Sequence, residues 1–195
     1  TGTTFKVDAE SPSDFADMLD RSSVAWVDFR TDDFDKEASV AAAQFGFGEM
    51  IISSLTGESR LTYQDFETEM GIKLPSVQVR VLDVKAYPLL MLIKKNFILT
   101  IHPLNVDRRF NRLRRYADTV LRKIPVDACA EDKLTLLLMR IIDENNQRNF
   151  EHLREIEERG DDLNEKMSDP YTPRTKLASE IYGMKHALIG YLNAL

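Results

Sequence analysis

The sequence has a single cysteine, Cys129. No internal disulfide is possible, which fits a reducing compartment. Histidine is equally scarce: His102, His152 and His186 are the only three. Neither helical histidine has a second His or Cys three or four residues away, so no zinc or transition-metal box is present. His102 reads as a strand-end residue. No glycine-rich phosphate loop, nucleophile elbow or Cys–His pairing appears, which argues against an enzyme. No secretory signal opens the chain and no run of eighteen apolar residues spans a bilayer, so the chain as given is expected to be soluble. The net charge of -6 argues against nucleic acid as the main partner.

What is present is an ordinary core-forming composition, 43% hydrophobic and 30% charged, enough for one large domain or one domain with an extension. Phe5-Lys6-Val7 reads as a short strand. Ser11 caps a helix with Pro12 at its first position and Phe15, Met18 and Leu19 turned inward. Ser23 to Phe29 is a buried strand. Asp32 or Asp33 caps a helix through Ala43, Phe45-Gly46-Phe47-Gly48 interrupts it, and Met50 to Leu55 forms another turn. Four strands follow: Arg60 to Phe66, Ser76 to Val84, Tyr87 to Lys94 and Phe97 to His102. Pro75 and Pro88 stand at strand beginnings, and Lys95-Asn96 makes a hairpin turn. Helices before strands, then strands together, imply an α+β fold: a layered α/β/α sandwich around a mixed sheet.

Asn105 caps a basic helix, Val106 to Ile124, with Phe110, Leu113, Ala117, Val120 and Leu121 facing inward. Its arginines are read as a solvated face paired with the acidic hairpin that follows. From Leu134 onward a three-four spacing runs through Met139, Ile142, a polar gap at Asn146 and Asn149, then Leu153, Ile156, Gly160, Leu163 and Met167. After Ser168 to Pro173 it resumes with Leu177, Ile181, Met184, Leu188, Tyr191 and Leu195. Two such stripes predict a long antiparallel helical hairpin, with a first helix about 50 Å long. The dense hairpin carboxylates concentrate Mg²⁺, or form a solvated flank on which Arg148, Arg154, Arg159 and Lys166 compensate at i,i+4. The expected domains are 1–125 and 126–195. The start at Thr1 and a helix that stops in mid-pattern at Leu195 lead us to expect a fragment cut before further helices.

Taken in order, these features resemble the cytoplasmic domain of the CorA family of magnesium and cobalt transporters. The resemblance is carried by Val24-Ala25-Trp26-Val27-Asp28-Phe29, by Phe45-Gly46-Phe47, by the strands Arg60 to Phe66 and Ser76 to Val84, and by the strand ending at Ile101-His102. It is carried further by Leu136-Leu137-Leu138-Met139-Arg140-Ile141-Ile142-Asp143, then Phe150, Leu153, Ile156 and Leu163, and by Leu177 to Leu195. The resemblance implies the soluble part of a Mg²⁺ or Co²⁺ transporter that senses Mg²⁺ and gates a pore. It also implies a homo-pentamer joined to the cell membrane through a C-terminal part missing here, with this fragment on the cytoplasmic side and no nucleic-acid partner. The family's Gly-Met-Asn and two transmembrane helices are absent, and Tyr182-Gly183-Met184 lies inside an amphipathic helix. The acidic pair of the regulatory Mg²⁺ site falls at Ser53-Ser54, which shifts that role toward Glu49 or Glu58. Asp143 keeps a matching carboxylate and is the expected metal ligand between subunits. The competing expectations are a zinc-transporting branch of the superfamily, a free-standing coiled-coil adaptor, and an arginine-helix nucleic-acid binder.

Overall fold

A computed structural model describes residues 6–8, 12–56, 62–122 and 128–194 of the chain. Its sheet has the order β1-β5-β4-β3-β2. The strands are β1 (Ala25–Thr31), β2 (Tyr63–Phe66), β3 (Glu69–Arg80), β4 (Asp83–Lys94) and β5 (Phe97–Pro103). β1 runs parallel to β5, whereas β5 with β4 and β2 with β3 are antiparallel. The sheet is therefore mixed. The helices are α1 (Ala16–Arg21), α2 (Phe34–Gln44), α3 (Glu49–Leu55), α4 (Asp107–Arg122), α5 (Ala130–Ser168) and α6 (Arg174–Ala194). A 3-10 turn, Pro12–Phe15, leads into α1, and another, Leu104–Val106, leads into α4.

The chain forms two compact units. The first takes the described residues within Thr1–Leu74 and Pro88–Glu144, the second Pro75–Tyr87 with those in Asn145–Leu195. In the first unit, period-two alternation along β1 and β5 divides side chains between two faces. Val27, Leu99 and Ile101 face one way, against α2 and α3 through Ala38, Ala41, Ala42, Ile51 and Leu55. Trp26 and Ile98 face the other, against Phe110 and Leu113 of α4 and Leu134, Leu137 and Ile141 of α5. Helices thus cover both faces of the sheet, the layered arrangement expected. Gly71 has no side chain for a physical reason: a Cβ there would lie 2.2 Å from Leu55 Cδ1.

In the second unit, α5 and α6 run antiparallel. Lys166 Nζ bonds Glu180 at 2.9 Å near one end, and the Tyr191 hydroxyl donates to the Asn149 carbonyl at 2.6 Å near the other. Their core is Val77, Val79, Ile156 and Tyr191, with Val84, Leu153 and Met184 around it. Asn145 and Asn149 are buried and one helical turn apart, so both amides reach β3. Each donates to the Pro75 carbonyl at 3.0 Å. In return Asn145 accepts from Ser76 Oγ at 2.6 Å, and Asn149 from the Val77 N–H at 2.9 Å. The polar gap in the hydrophobic stripe is an amide clamp, and its first member is Asn145, not Asn146.

Several expectations need correcting. Lys6 and Val7 form no strand, and Phe5 lies outside the described residues, as does Ser11. Met18 is exposed while Phe15 and Leu19 are half-buried. The span Ser76 to Val84 is not one strand: β3 begins at Glu69 and a turn at Val81-Leu82 separates it from β4. Val81 adopts φ 59° there, a conformation uncommon for a β-branched residue. Pro75 and Pro88 consequently lie inside strands. Pro75 is tolerated because β2 pairs only as far as Ile72 of β3, so no β2 partner is waiting for its missing N–H. Asn105 sits within the 3-10 turn, and α4 starts at Asp107. Met139 and Met167 are exposed, as are Ile181 and Leu188 of α6. Met184 and Tyr191 of the expected stripe do pack, and the small residues Gly183, Ala187 and Gly190 share their face. A Cβ at Gly183 would meet Leu82 Cδ1 at 3.0 Å, and one at Gly190 would meet Val84 Cβ at 3.4 Å.

Candidate functional site

The densest polar arrangement of the first unit is built on neighbouring parallel strands. Asp28 of β1 pairs in register with Thr100 of β5, and Arg30 with His102. Alternation places Trp26 and Asp28 on the same face of β1, as it does Thr100 and His102 on β5. That face lies under α4, whose Phe110 ring packs against the His102 ring with centroids 5.1 Å apart. Arg114 follows Phe110 by four residues and so projects from the same side of the helix.

The side chains form one connected network. The Trp26 indole N–H donates to Thr100 Oγ1 at 3.0 Å, and Thr100 donates to Asp28 Oδ1 at 2.7 Å. His102 Nε2 lies 3.1 Å from the same oxygen, and Nδ1 lies 3.0 Å from the Pro103 carbonyl. Both ring nitrogens thus lie within hydrogen-bonding distance of an oxygen, one on Asp28 and one on Pro103. The Arg114 guanidinium bonds Asp28 Oδ2 and lies 2.7 Å from Asp107 Oδ1. It also donates to the Asp107 carbonyl at 2.9 Å.

Burial pushes the Asp28 carboxyl toward protonation, but the hydrogen bond and charge of His102, with the bonds from Thr100 and Arg114, outweigh it. The carboxyl is held below its ordinary value. Burial likewise disfavours the Arg114 charge, and the two aspartates override it.

The ligand atoms of Asp28, His102 and Asp107 all lie within 4.8 Å of one another, close enough for one divalent ion. Arg114 decides against that use. Its guanidinium already contacts both carboxylates, and an ion entering there would break charge-assisted bonds beside a cation that cannot lose its proton. The cluster is a neutralised brace that fastens α4 to the sheet.

The family described as CorA-like Mg²⁺ transporter protein matches residues 21–195. The chain belongs to the CorA family. The soluble domain of CorA from Methanocaldococcus jannaschii is 19% identical with a TM-score of 0.64, over 90% of this chain and 67% of that one. The complete CorA magnesium transporter of the same organism gives 18% and 0.62, over 88% of this chain and 52% of that one. The chain therefore spans about half the length of a complete CorA. The cytoplasmic domain of ZntB from Vibrio parahaemolyticus gives 16% and 0.52, over 86% of this chain and 66% of that one. No curated protein sequence matches the chain. At these identities the solved structures establish the shared α/β fold with its long helices.

Within this CorA chain the sequence-predicted positions are dispersed. Asp143 lies on α5 with its side chain 70% exposed, and its carboxylate is 3.8 Å from Arg140 Nη1. Ser53 and Ser54 of α3 turn their hydroxyls back onto the carbonyls of Met50 and Ile51. Glu49 is exposed in the first turn of α3, and Glu58 lies outside the described residues. Tyr182-Gly183-Met184 is helical, within α6. No helix among the described residues is long and apolar enough to cross a membrane.

The charge expectations change in detail. The ion pairs described on α4 join Arg114 to Asp28 and Asp107, and Arg30 of β1 to Asp107 at 3.7 Å, where an arginine face paired with the hairpin was expected. On α5, Arg148 pairs with Glu151 at i,i+3, and Lys166 reaches across to Glu180, in place of i,i+4 pairs. Sequence reasoning overlooked Asp28 as the partner of His102, and Thr100, Asp107 and Arg114 as the rest of its network. The signal was available: polar residues on alternate positions of two otherwise apolar strands, and one arginine among the inward positions of a helix.

Proposed function

We propose that this chain is the cytoplasmic regulatory part of a CorA-type divalent cation transporter. Mg²⁺ is the transported ion, with Co²⁺ as a second cargo. Copies of the complete protein assemble as a homo-pentamer around a membrane pore supplied by residues outside this chain. Mg²⁺ held between subunits, with Asp143 among its ligands, favours the closed arrangement. The observation that carries this proposal is the family match over residues 21–195.

The physics of the regulation is linkage. An ion that binds one arrangement of subunits more tightly shifts the equilibrium toward it, by no more than the difference in affinity. Mg²⁺ keeps most of its water and is satisfied by one or two carboxylates, so an exposed Asp143 suits a shared, weak site. Because it lies beside Arg140, it needs a second carboxylate from a neighbouring copy to bind Mg²⁺ usefully.

Two measurements test this. Cells lacking other Mg²⁺ uptake and expressing the complete protein should grow at low Mg²⁺, and uptake of Mg²⁺ against Zn²⁺ separates a CorA activity from a ZntB-like one. For the sensor, thermal melts and sedimentation of the chain are compared in Mg²⁺, Ca²⁺ and EDTA. At ten times the dissociation constant, binding adds about 1.4 kcal/mol, or roughly 3–6 °C for a chain of this size. Asp143→Asn should remove that shift. Identical melting and association in all three solutions would overturn the sensor role.

A further inference from the structure

Six of the sixteen residues of α4 are arginines. Arg109 is buried and Arg114 belongs to the brace. Arg108, Arg112 and Arg115 are exposed, and their spacing of four and then three residues puts them in one stripe. Among the described residues none of the three has an ion-pair or hydrogen-bond partner. Like charges at these spacings repel within a helix. A partner that neutralises them is therefore favoured.

The same chain carries the complement. On α5, Glu158, Asp162 and Glu165 are exposed and repeat the spacing of four and then three. Both triplets run seven steps along the helix, about 10.5 Å. A parallel alignment brings Arg108 to Glu158, Arg112 to Asp162 and Arg115 to Glu165. Glu158 and Glu165 make no ion pair among the described residues; of the two cations one turn from Asp162, Lys166 is already bonded to Glu180 and Arg159 is exposed. Arg154, one turn before Glu158, faces solvent beyond the triplet.

We infer that the Arg108–Arg112–Arg115 stripe of α4 is an interaction surface for the Glu158–Asp162–Glu165 stripe of a second copy of this chain. A second copy is favoured over a phosphate polymer because the chain itself carries an exposed acidic stripe opposite in sign and equal in number and spacing. Two different patches in contact make a heterologous, head-to-tail interface, the kind that closes rings. The inference deepens the assembly proposed above and rests on that reading only for the ring. Three exposed ion pairs together contribute on the order of tenfold in affinity at low salt. They select and orient more than they bind.

The test is sedimentation of the 195-residue chain over a concentration series in EDTA, so that bridging metal plays no part. Wild type should self-associate at about 50 mM salt and lose it near 0.5 M, where charges are screened. Arg108→Glu/Arg112→Glu/Arg115→Glu should weaken association about tenfold or more, and so should Glu158→Lys/Asp162→Lys/Glu165→Lys. Mixing the two variants should restore it, because each reversed stripe then meets its complement. Rescue on mixing also shows that both variants are folded. The inference is overturned if wild type stays monomeric at low salt, if either variant associates as wild type does, or if the mixture fails to associate. Loss in the arginine variant alone, together with wild-type binding to anionic vesicles or RNA, would assign the stripe to a polyanion instead. Ion uptake by the complete protein is measured separately, so failure here leaves the transport proposal standing.

Discussion

Asp28→Asn is the substitution that most directly weighs a structural brace against a metal site. The change keeps the shape of the side chain and removes its charge. Removing one partner of a buried ion pair costs about 3–5 kcal/mol when the other charge is stranded. Here Arg114 is not stranded, because Asp107 Oδ1 remains 2.7 Å away, and an amide oxygen still accepts from Thr100. The expected loss is therefore about 2–3 kcal/mol, or roughly 4–12 °C in melting temperature for a chain of this length. Trp26 is the only tryptophan and donates to Thr100 inside the network, so its fluorescence in urea reports the unit in question. All measurements are made in EDTA. The carboxyl of Asp28 is held below its ordinary value of 3.8, so its contribution is complete above that pH and fades as the pH falls through the lower folded value. The difference between wild type and variant should be flat from neutral pH to about 5 and close below 4. A double cycle with Arg114→Met should show strong coupling, the pair of changes costing less than the sum of the two. A loss below about 0.5 kcal/mol in EDTA, or a difference that does not close in acid, would refute the brace.

Two further outcomes follow from the packing. Asn149→Ala leaves the Val77 N–H without its side-chain acceptor while Pro75 keeps the bond from Asn145. It should cost about 1–3 kcal/mol and raise the hydrogen-exchange rate at Val77. Gly71→Ala sets a methyl 2.2 Å from Leu55 Cδ1 and 3.0 Å from Leu92 Cδ2, and should destabilise by about 1–3 kcal/mol in chemical unfolding, an unchanged midpoint being the contrary result.

How far the sequence carried the fold depended on whether the local signal was the one that packing used. The strand through Trp26 and the Lys95-Asn96 turn were legible, because β-branched runs and a turn-forming Asn act locally. The turn at Val81-Leu82 was not, because both residues are apolar and give no turn signal, so the ends of β3 and β4 read as one strand. The face of α6 was legible in part: Met184 and Tyr191 of the expected stripe pack in the core, but close backbone approach brings in the small residues Gly183, Ala187 and Gly190, and Ile181 and Leu188 are left exposed. The polar network was half legible. His102 is a strand residue as expected, yet its partners became evident only when the parallel register of β1 and β5 placed Asp28 beside Thr100. Arg114 was hidden among six arginines, although its distance from Phe110 set it apart.

The two polar networks also constrain where an ion could act. The Asp28 carboxylate is surrounded by Thr100, His102 and Arg114, and the amides of Asn145 and Asn149 are committed to β3. Groups already satisfied in this way offer little to a diffusing cation, which would have to break existing bonds before forming its own. An exposed carboxylate such as Asp143 has the opposite property: it is available, and alone it binds weakly. On the proposed function, sensing then belongs to carboxylates that become a site only when copies meet, and folding belongs to the buried networks. The two roles separate experimentally. Asp28→Asn should lower stability in EDTA and leave the Mg²⁺-dependent shift intact, whereas Asp143→Asn should abolish the shift and leave stability in EDTA unchanged. A variant of either residue that moved both quantities together would show that the division does not hold.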